Sequence, residues 1–134
     1  MNIFIVDLRH QPGELAKVTE ALAQKGIDIT AFSGVTCGGS GTVALITSDD
    51  TVTRSTLQDA GYRPRELEVV TTTIENTPGS LAKVARRLGD AGISIEAALP
   101  TSMSGMNVTL AFATDDPARA RGVLAAAEPM AAAR

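Results

Sequence analysis

The hydrophobic positions of this chain change spacing several times, and each change predicts a different element. The run NIFIVDL, near the first residue, is dominated by apolar and β-branched residues and favours a strand. A stripe at helical spacing follows it, and then an alternation of apolar and polar residues indicates a strand with one buried face. The helical stripe consists of Leu15, Val18 and Leu22. The alternating apolar positions are Ile27, Ile29 and Ala31.

The same pattern occurs a second time. The segment PGELAKVTEALAQKGIDI matches PGSLAKVARRLGDAGISI, and Pro12 and Pro78 lie 66 positions apart (78 − 12 = 66). We extend this match without a gap to Asp50, which then corresponds to Asp116. A repeat of this length indicates that one structural unit is present twice, and two copies are too few for a solenoid. We predict units over 1–66 and 67–134.

Glycine, proline and capping residues predict where the helices begin and end. Thr77 is a suitable N-cap, and Pro12 and Pro78 are the expected first helical residues of their units. Asp50 and Asp116 are expected to cap the second helix of each unit. The expected helix ends lie at Gly26 and Gly92.

The resulting order in each unit is strand, helix, strand, strand, helix, strand. This order is typical of a ferredoxin-like α+β fold, in which two helices pack on one face of an antiparallel sheet. We expect residues 62–75 to be extended, ending the first unit and beginning the second without a flexible linker. The last segment, AAAEPMAAAR, is a poor strand, so the second unit is expected to lack its final strand or to obtain one from the first unit or another subunit.

The turn between the first strand and first helix of each unit is the candidate binding site. The first amides of a helix lack intrahelical acceptors, and they can bind a carboxylate or phosphate. Glycine lets a ligand approach the main chain closely, and the side-chain oxygen of Asn76 could accept from an ammonium group. We expect Gly79→Val or Asn76→Ala to weaken binding with little loss of fold. A Pro-Gly turn also needs no ligand, so a purely structural role stays open. The candidate donors are the amides of Gly13, Glu14, Leu15, Gly79, Ser80 and Leu81.

Composition and charge argue against several other functions. The net charge is −3 and the basic residues are scattered, whereas nucleic-acid binders are usually basic. The chain has one histidine and one cysteine, so it has no intramolecular disulfide, and a zinc site with four nitrogen or sulfur ligands is not expected. We predict no catalytic residues, no cofactor, no metal, no nucleic acid and no membrane contact. In the absence of a secretion signal, a cytoplasmic protein is expected.

The duplicated motif resembles the regulatory ACT domain, and the resemblance covers nearly the whole chain. It consists of a strand, an acidic or Asn residue, Pro-Gly, a Leu-rich helix and Gly-Ile-x-Ile, as in NTPGSLAKVARRLGDAGISIEAA. The family's ligand contacts correspond to the loop after the first strand, with help from the second strand. In the second unit these are Asn76, Pro78, Gly79, Ser80, Leu81 and Ile95; in the first they are His10, Gln11, Gly13, Glu14, Leu15 and Ile29. His10 departs from the family's Asp or Asn, so the first site is expected to be altered or lost.

The resemblance implies a regulatory protein that binds a free amino acid where two ACT units meet. It also implies a partner enzyme of amino-acid metabolism, and we expect a homodimer. The alternative is a dimerising adaptor that binds no ligand. The sequence identifies neither the amino acid nor the regulated partner.

Overall fold

The computed structural model describes residues 1–126 and divides the chain into two compact units, between Leu67 and Glu68. Unit 1 contains β1 (Asn2–Arg9), α1 (Glu14–Gln24), β2 (Ile29–Cys37), β3 (Ser40–Thr47) and α2 (Asp50–Asp59). The strand β4 (Arg65–Glu75) begins in unit 1 and continues into unit 2. Unit 2 then contains α3 (Ser80–Asp90), β5 (Ile95–Ser104), β6 (Asn107–Thr114) and α4 (Pro117–Ala125).

The predicted ferredoxin-like plan is confirmed, with antiparallel strands in the order β2-β3-β1 in unit 1 and β4-β6-β5 in unit 2. The extended run between the repeats is the single strand β4. The expectation about a missing final strand falls on residues 127–134, which lie outside the described residues. No helix within residues 1–126 is both long and apolar enough to cross a membrane.

Each unit has its own apolar core between its strands and its two helices. The unit 1 core consists of Phe4, Val6, Val18, Leu22, Ile27, Val43, Leu45 and Leu57, with Tyr62 packed against it. The unit 2 core consists of Val70, Val84, Leu88, Ile93, Phe112, Ala120 and Leu124. The helical stripes reach the core only in part. Val18 and Leu22 of α1, and Val84 and Leu88 of α3, are buried in it. The first residue of each stripe, Leu15 or Leu81, is 47% or 56% exposed.

The helices α1 and α3 end beside Gly26 and Gly92, as predicted from the sequence. Gly26 has a φ of 70° and Gly92 a φ of 73°, the left-handed conformation that follows many helices. The amides of Ile27 and Ile93 reach back to the carbonyls of Leu22 and Leu88. The C-terminal carbonyls are thus satisfied by a turn that only glycine adopts without strain.

The gapless match as far as Asp50 was wrong, because β5 contains one more residue than β2. The ladder between β2 and β3 has one register shift, between Ile29 and Ala31, whereas that between β5 and β6 has a second one between Pro100 and Ser102. Proline lacks the amide that a continuous ladder needs, so a β-bulge accommodates it. Beyond this point the units correspond at an offset of 67, as at Ser40 and Asn107 (107 − 40 = 67).

This extra residue also explains an error in the predicted caps. Asp116 caps α4 as expected, with its carboxylate accepting from the Arg119 amide and Pro117 in the first turn. In unit 1, however, Asp49 is the N-cap and accepts from the Val52 amide. Asp50 is instead the first residue of α2, and its carboxylate accepts a hydrogen bond from the main-chain amide of Asn2.

An ion pair connects α2 to the start of β4. Arg54 donates two hydrogen bonds of 2.6 Å to the Glu66 carboxylate, which also accepts from the Asn2 side chain. The hydrogen bond from Arg54 lowers the pKa of Glu66 below its ordinary value of 4.5. Because the folded-state pKa is the lower one, the pair stabilises the protein above about pH 4.5, and this contribution is lost as the pH falls through the folded-state value.

We therefore expect Glu66→Gln to lower the free energy of unfolding by about 1 kcal/mol at pH 7 and by less at pH 3. Urea unfolding of both proteins at the two pH values measures this. The control is Glu68→Gln, since Glu68 pairs with Arg121 at 2.8 Å but is 53% exposed, and such pairs contribute little. An equal loss at both pH values would contradict the assignment.

Candidate functional site

The loop that follows β1 in unit 1 has a different geometry from the one predicted. Pro12 is not the first helical residue, because α1 begins at Glu14 and Gly13 precedes it with a φ of 88°. The Glu14 amide donates to the Gln11 carbonyl at 3.4 Å, so one of the three amides predicted to bind a ligand is used within the loop. The candidate main-chain donors here are therefore those of Gly13 and Leu15.

The corresponding loop of unit 2 repeats this geometry. Gly79 precedes α3 with a φ of 88°, and the Ser80 amide donates to the Thr77 carbonyl at 3.2 Å. Thr77 was wrongly predicted as the N-cap and Pro78 as the first helical residue, since Gly79 is the N-cap and α3 begins at Ser80. The Thr77 hydroxyl bonds to the Ser80 hydroxyl at 2.8 Å, and no side chain of the described residues caps the helix. Asn76 and Pro78 are exposed on this loop.

The backbone conformation of the two loops requires glycine at positions 13 and 79, and the sequence did not reveal this requirement. No heavy atom of residues 1–126 lies within 4 Å of where a Cβ would stand at Gly13 or Gly79, but both have a strongly positive φ. Residues with a Cβ are strained in that conformation, and β-branched ones most of all. Gly79→Val is thus expected to disturb the fold, and it is not a clean test of binding.

A pocket of about 470 Å³ opens beside the loop in unit 1, and we call it the loop pocket. It brings together the end of β1, the start of α1 and the exposed part of β2. Four of the predicted contacts line it, namely His10, Gln11, Glu14 and Leu15, whereas Gly13 does not. The remaining lining residues are Leu8, Arg9, Phe32, Gly34, Val35, Thr36, Gly41, Thr42 and Val43.

A second pocket in unit 1, of about 400 Å³, shares two of these walls, and we call it the apolar pocket. Leu15 and Phe32 line both pockets, so the two spaces adjoin along these side chains. Ile29, which the sequence predicted as a contact, lines this second space. Its other residues are Ala16, Thr19 and Leu45.

Arg9 and Phe32 were not predicted from the sequence as residues of the site. Phe32 pairs with Leu45, and residues paired across an antiparallel ladder point to the same side of the sheet. Leu45 belongs to the unit 1 core, so Phe32 faces the helix side, yet 64% of it is exposed. The register shift after Ile29 gives Phe32 this orientation. It reverses which residues of β2 face the helices, and the predicted alternation of Ile27, Ile29 and Ala31 did not include it.

Two residues of opposite charge, Arg9 and Glu14, line the loop pocket. The Glu14 side chain is only 15% exposed, and its ion pair with Lys17 is long, at 3.6 Å. The Arg9 guanidinium is exposed and makes no ion pair within residues 1–126. Such a pair of groups can bind a ligand that carries both a carboxylate and an ammonium.

The loop of unit 2 differs in charge and in shape. Glu14 corresponds to Ser80, and no acidic residue lies in the first turn of α3. The positive end of α3 therefore lacks the carboxylate that α1 has, which favours an anion there. Phe32 corresponds to Ala98, which provides a smaller wall. The ligand contacts proposed for this unit stay predictions. They are Asn76, Pro78, Gly79, Ser80, Leu81 and Ile95.

Solved structures with this fold include proteins from several bacteria. A protein from Bacteroides thetaiotaomicron superposes with a TM-score of 0.81 at 25% identity, over 94% of this chain and 87% of that chain. The regulatory subunit of aspartate kinase from Thermus thermophilus gives 0.68 at 20% identity, over 94% and 90%. The corresponding subunit from Thermus flavus gives 0.67 at 19% identity, also over 94% and 90%.

No curated protein sequence matches the chain significantly. A family model described as an ACT domain pair, however, matches residues 1–129, nearly the whole chain. The duplicated Pro-Gly motif, the two ferredoxin-like units and this match agree, and the chain therefore belongs to the family of ACT domain pairs.

Proposed function

We propose that this chain is a regulatory protein that binds a free amino acid in unit 1 and modulates a partner enzyme or regulator. ACT domain pairs are regulatory modules rather than catalytic ones. The two Thermus proteins of the same fold are regulatory subunits of aspartate kinase. At 20% and 19% identity these two proteins support the fold alone. The regulatory role of this chain is our proposal.

The observation that carries the proposal is the loop pocket with its two opposite charges. The Arg9 guanidinium binds the ligand carboxylate, and the partly buried Glu14 carboxylate binds the ammonium. The side-chain oxygen of Gln11 supplies a further acceptor. Because Glu14 already compensates the positive end of α1, this pocket recognises the ammonium through a side chain and the carboxylate through Arg9.

A dimerising adaptor remains the second candidate, and one feature of β2 favours it. This strand lies at one end of the unit 1 strand order, and Phe32 and Val35 on it are 64% and 70% exposed. An edge strand with exposed apolar side chains can pair with another chain. A homodimer formed through β2 would bury Phe32 without any ligand.

A thermal-shift series with the twenty amino acids tests the ligand proposal. An amino acid at about ten times its dissociation constant stabilises the native state by about 1.4 kcal/mol, which raises the melting temperature by a few degrees. We expect Arg9→Ala to weaken binding by about tenfold or more, since a hydrogen bond between charged groups is lost.

The matched control is Arg86→Ala, which also removes one exposed arginine, from α3 in unit 2. This variant is expected to bind the amino acid with the same dissociation constant as the unsubstituted protein. No shift with any amino acid would contradict the proposal and favour the adaptor. Binding that survives Arg9→Ala but is lost in Asn76→Ala would move the site to unit 2.

A further inference from the structure

The apolar pocket extends the loop pocket away from its charged groups. Arg9 and Glu14 line the loop pocket alone, whereas Leu15 and Phe32 line both spaces. A ligand held beside Arg9 and Glu14 can reach the apolar pocket past these two side chains. The charged residues thus line only one of the two adjoining spaces.

Among the described residues, the walls of the apolar pocket offer no free polar side chain. Thr19 is the one polar residue among these walls, and its hydroxyl donates to the Leu15 carbonyl at 2.9 Å and lies 3.1 Å from the Ala16 carbonyl. A threonine that bonds back to its own helix presents its methyl group to its surroundings. The other five walls are alanine, leucine, isoleucine and phenylalanine side chains.

We infer that the ligand is an amino acid with a bulky apolar side chain, such as leucine, isoleucine, methionine or phenylalanine. Its carboxylate and ammonium lie in the loop pocket, and its side chain crosses Leu15 and Phe32 into the apolar pocket. This inference rests on the proposed function and adds the class of side chain. A charged or amide side chain loses its hydration there without gaining a partner, and a methyl group is too short to reach.

Isothermal titration calorimetry with leucine, methionine, phenylalanine, alanine, serine, lysine and aspartate tests the inference. We expect at least one of the first three to bind about tenfold or more tightly than alanine, because each methylene in an apolar pocket adds discrimination. Serine, lysine and aspartate are expected to bind more weakly than the best of them by a similar or larger factor.

An exposed apolar residue of unit 2 offers a control variant. Leu15 is 47% exposed and lines both pockets, whereas Met103 in β5 is 69% exposed and lies outside both. Leu15→Ala is expected to reduce the preference for the bulky amino acid over alanine by about tenfold, and Met103→Ala to leave it unchanged. Phe32→Ala is expected to act as Leu15→Ala does.

The outcomes separate this inference from the function on which it rests. Tight binding of a polar, charged or small amino acid that depends on Arg9 would overturn the inference and leave the ligand-sensor function in place. An unchanged preference in both Leu15→Ala and Phe32→Ala would also overturn it. Absence of binding by every amino acid would overturn both.

Discussion

Replacing Phe4 with alanine should lower the free energy of unfolding of unit 1 by about 3–5 kcal/mol. The Phe4 side chain is fully buried, and it packs among Val18, Leu22 and Leu45 in the unit 1 core. Its removal loses the transfer free energy of the ring and leaves a cavity that the surrounding side chains fill only in part. A loss of this size is a large fraction of the stability of a small unit.

Tyrosine fluorescence reports this effect for unit 1 alone. The chain has one tyrosine and no tryptophan, and Tyr62 packs against the same core as Phe4. Urea unfolding followed at Tyr62 therefore measures the change where it occurs.

The same substitution at Phe32 provides the control, since that side chain is 64% exposed and should cost less than about 0.5 kcal/mol. Similar losses in both variants would mean that Phe32 is buried in solution, as the adaptor requires.

Features that depend on nearby residues were predictable from the sequence. Gly26 and Gly92 end their helices because a left-handed residue there satisfies the last carbonyls, and this rule needs only local sequence. The stripes in α1 and α3 repeat in the same order, so one assignment supports the other. The strand β4 lies within the predicted extended run 62–75, and its residues 69–74 are apolar or β-branched.

Features that depend on pairing between strands were not predictable. The bulge at Pro100 lengthens β5 by one residue relative to β2, and hydrogen bonds to β6 determine where this residue lies. Sequence comparison placed the second helices at the same offset as the first ones. Asp50 was consequently taken as the cap, although Asp49 has that role.

The candidate site shows the same division. His10, Gln11, Glu14 and Leu15 were predicted because they belong to a loop with a recognisable motif, and they line one pocket. Phe32 was missed because its orientation depends on a register shift. The apolar pocket also requires a wall from β2 beside a wall from α1, and only the folded chain brings these together.

Two buried threonines should respond to the same substitution in opposite directions. Thr53 is fully buried in α2, and its hydroxyl bonds to the Thr47 hydroxyl at 2.7 Å. Thr72 is 1% exposed in β4, and its hydroxyl has no hydrogen-bond partner within residues 1–126. Valine has nearly the shape of threonine, so each change removes a hydroxyl with little change in packing.

We expect Thr53→Val to lower the free energy of unfolding by about 1–3 kcal/mol, because it leaves the Thr47 hydroxyl buried with only a long, 3.4 Å contact to the Asp49 carbonyl. Thr72→Val is expected to raise it by about 1–2 kcal/mol, since it removes a desolvated group that forms no bond. Urea unfolding followed by far-ultraviolet circular dichroism measures both changes.

The double variant Thr47→Val with Thr53→Val separates an unpaired hydroxyl from a packing defect. If the loss in Thr53→Val comes from leaving one partner unpaired, removal of the second hydroxyl should restore most of the stability. If valine does not fit, the double variant should be no more stable than the single one. A loss of stability in Thr72→Val would mean that its hydroxyl is hydrogen-bonded in solution, so the sign of that change shows whether the group is satisfied.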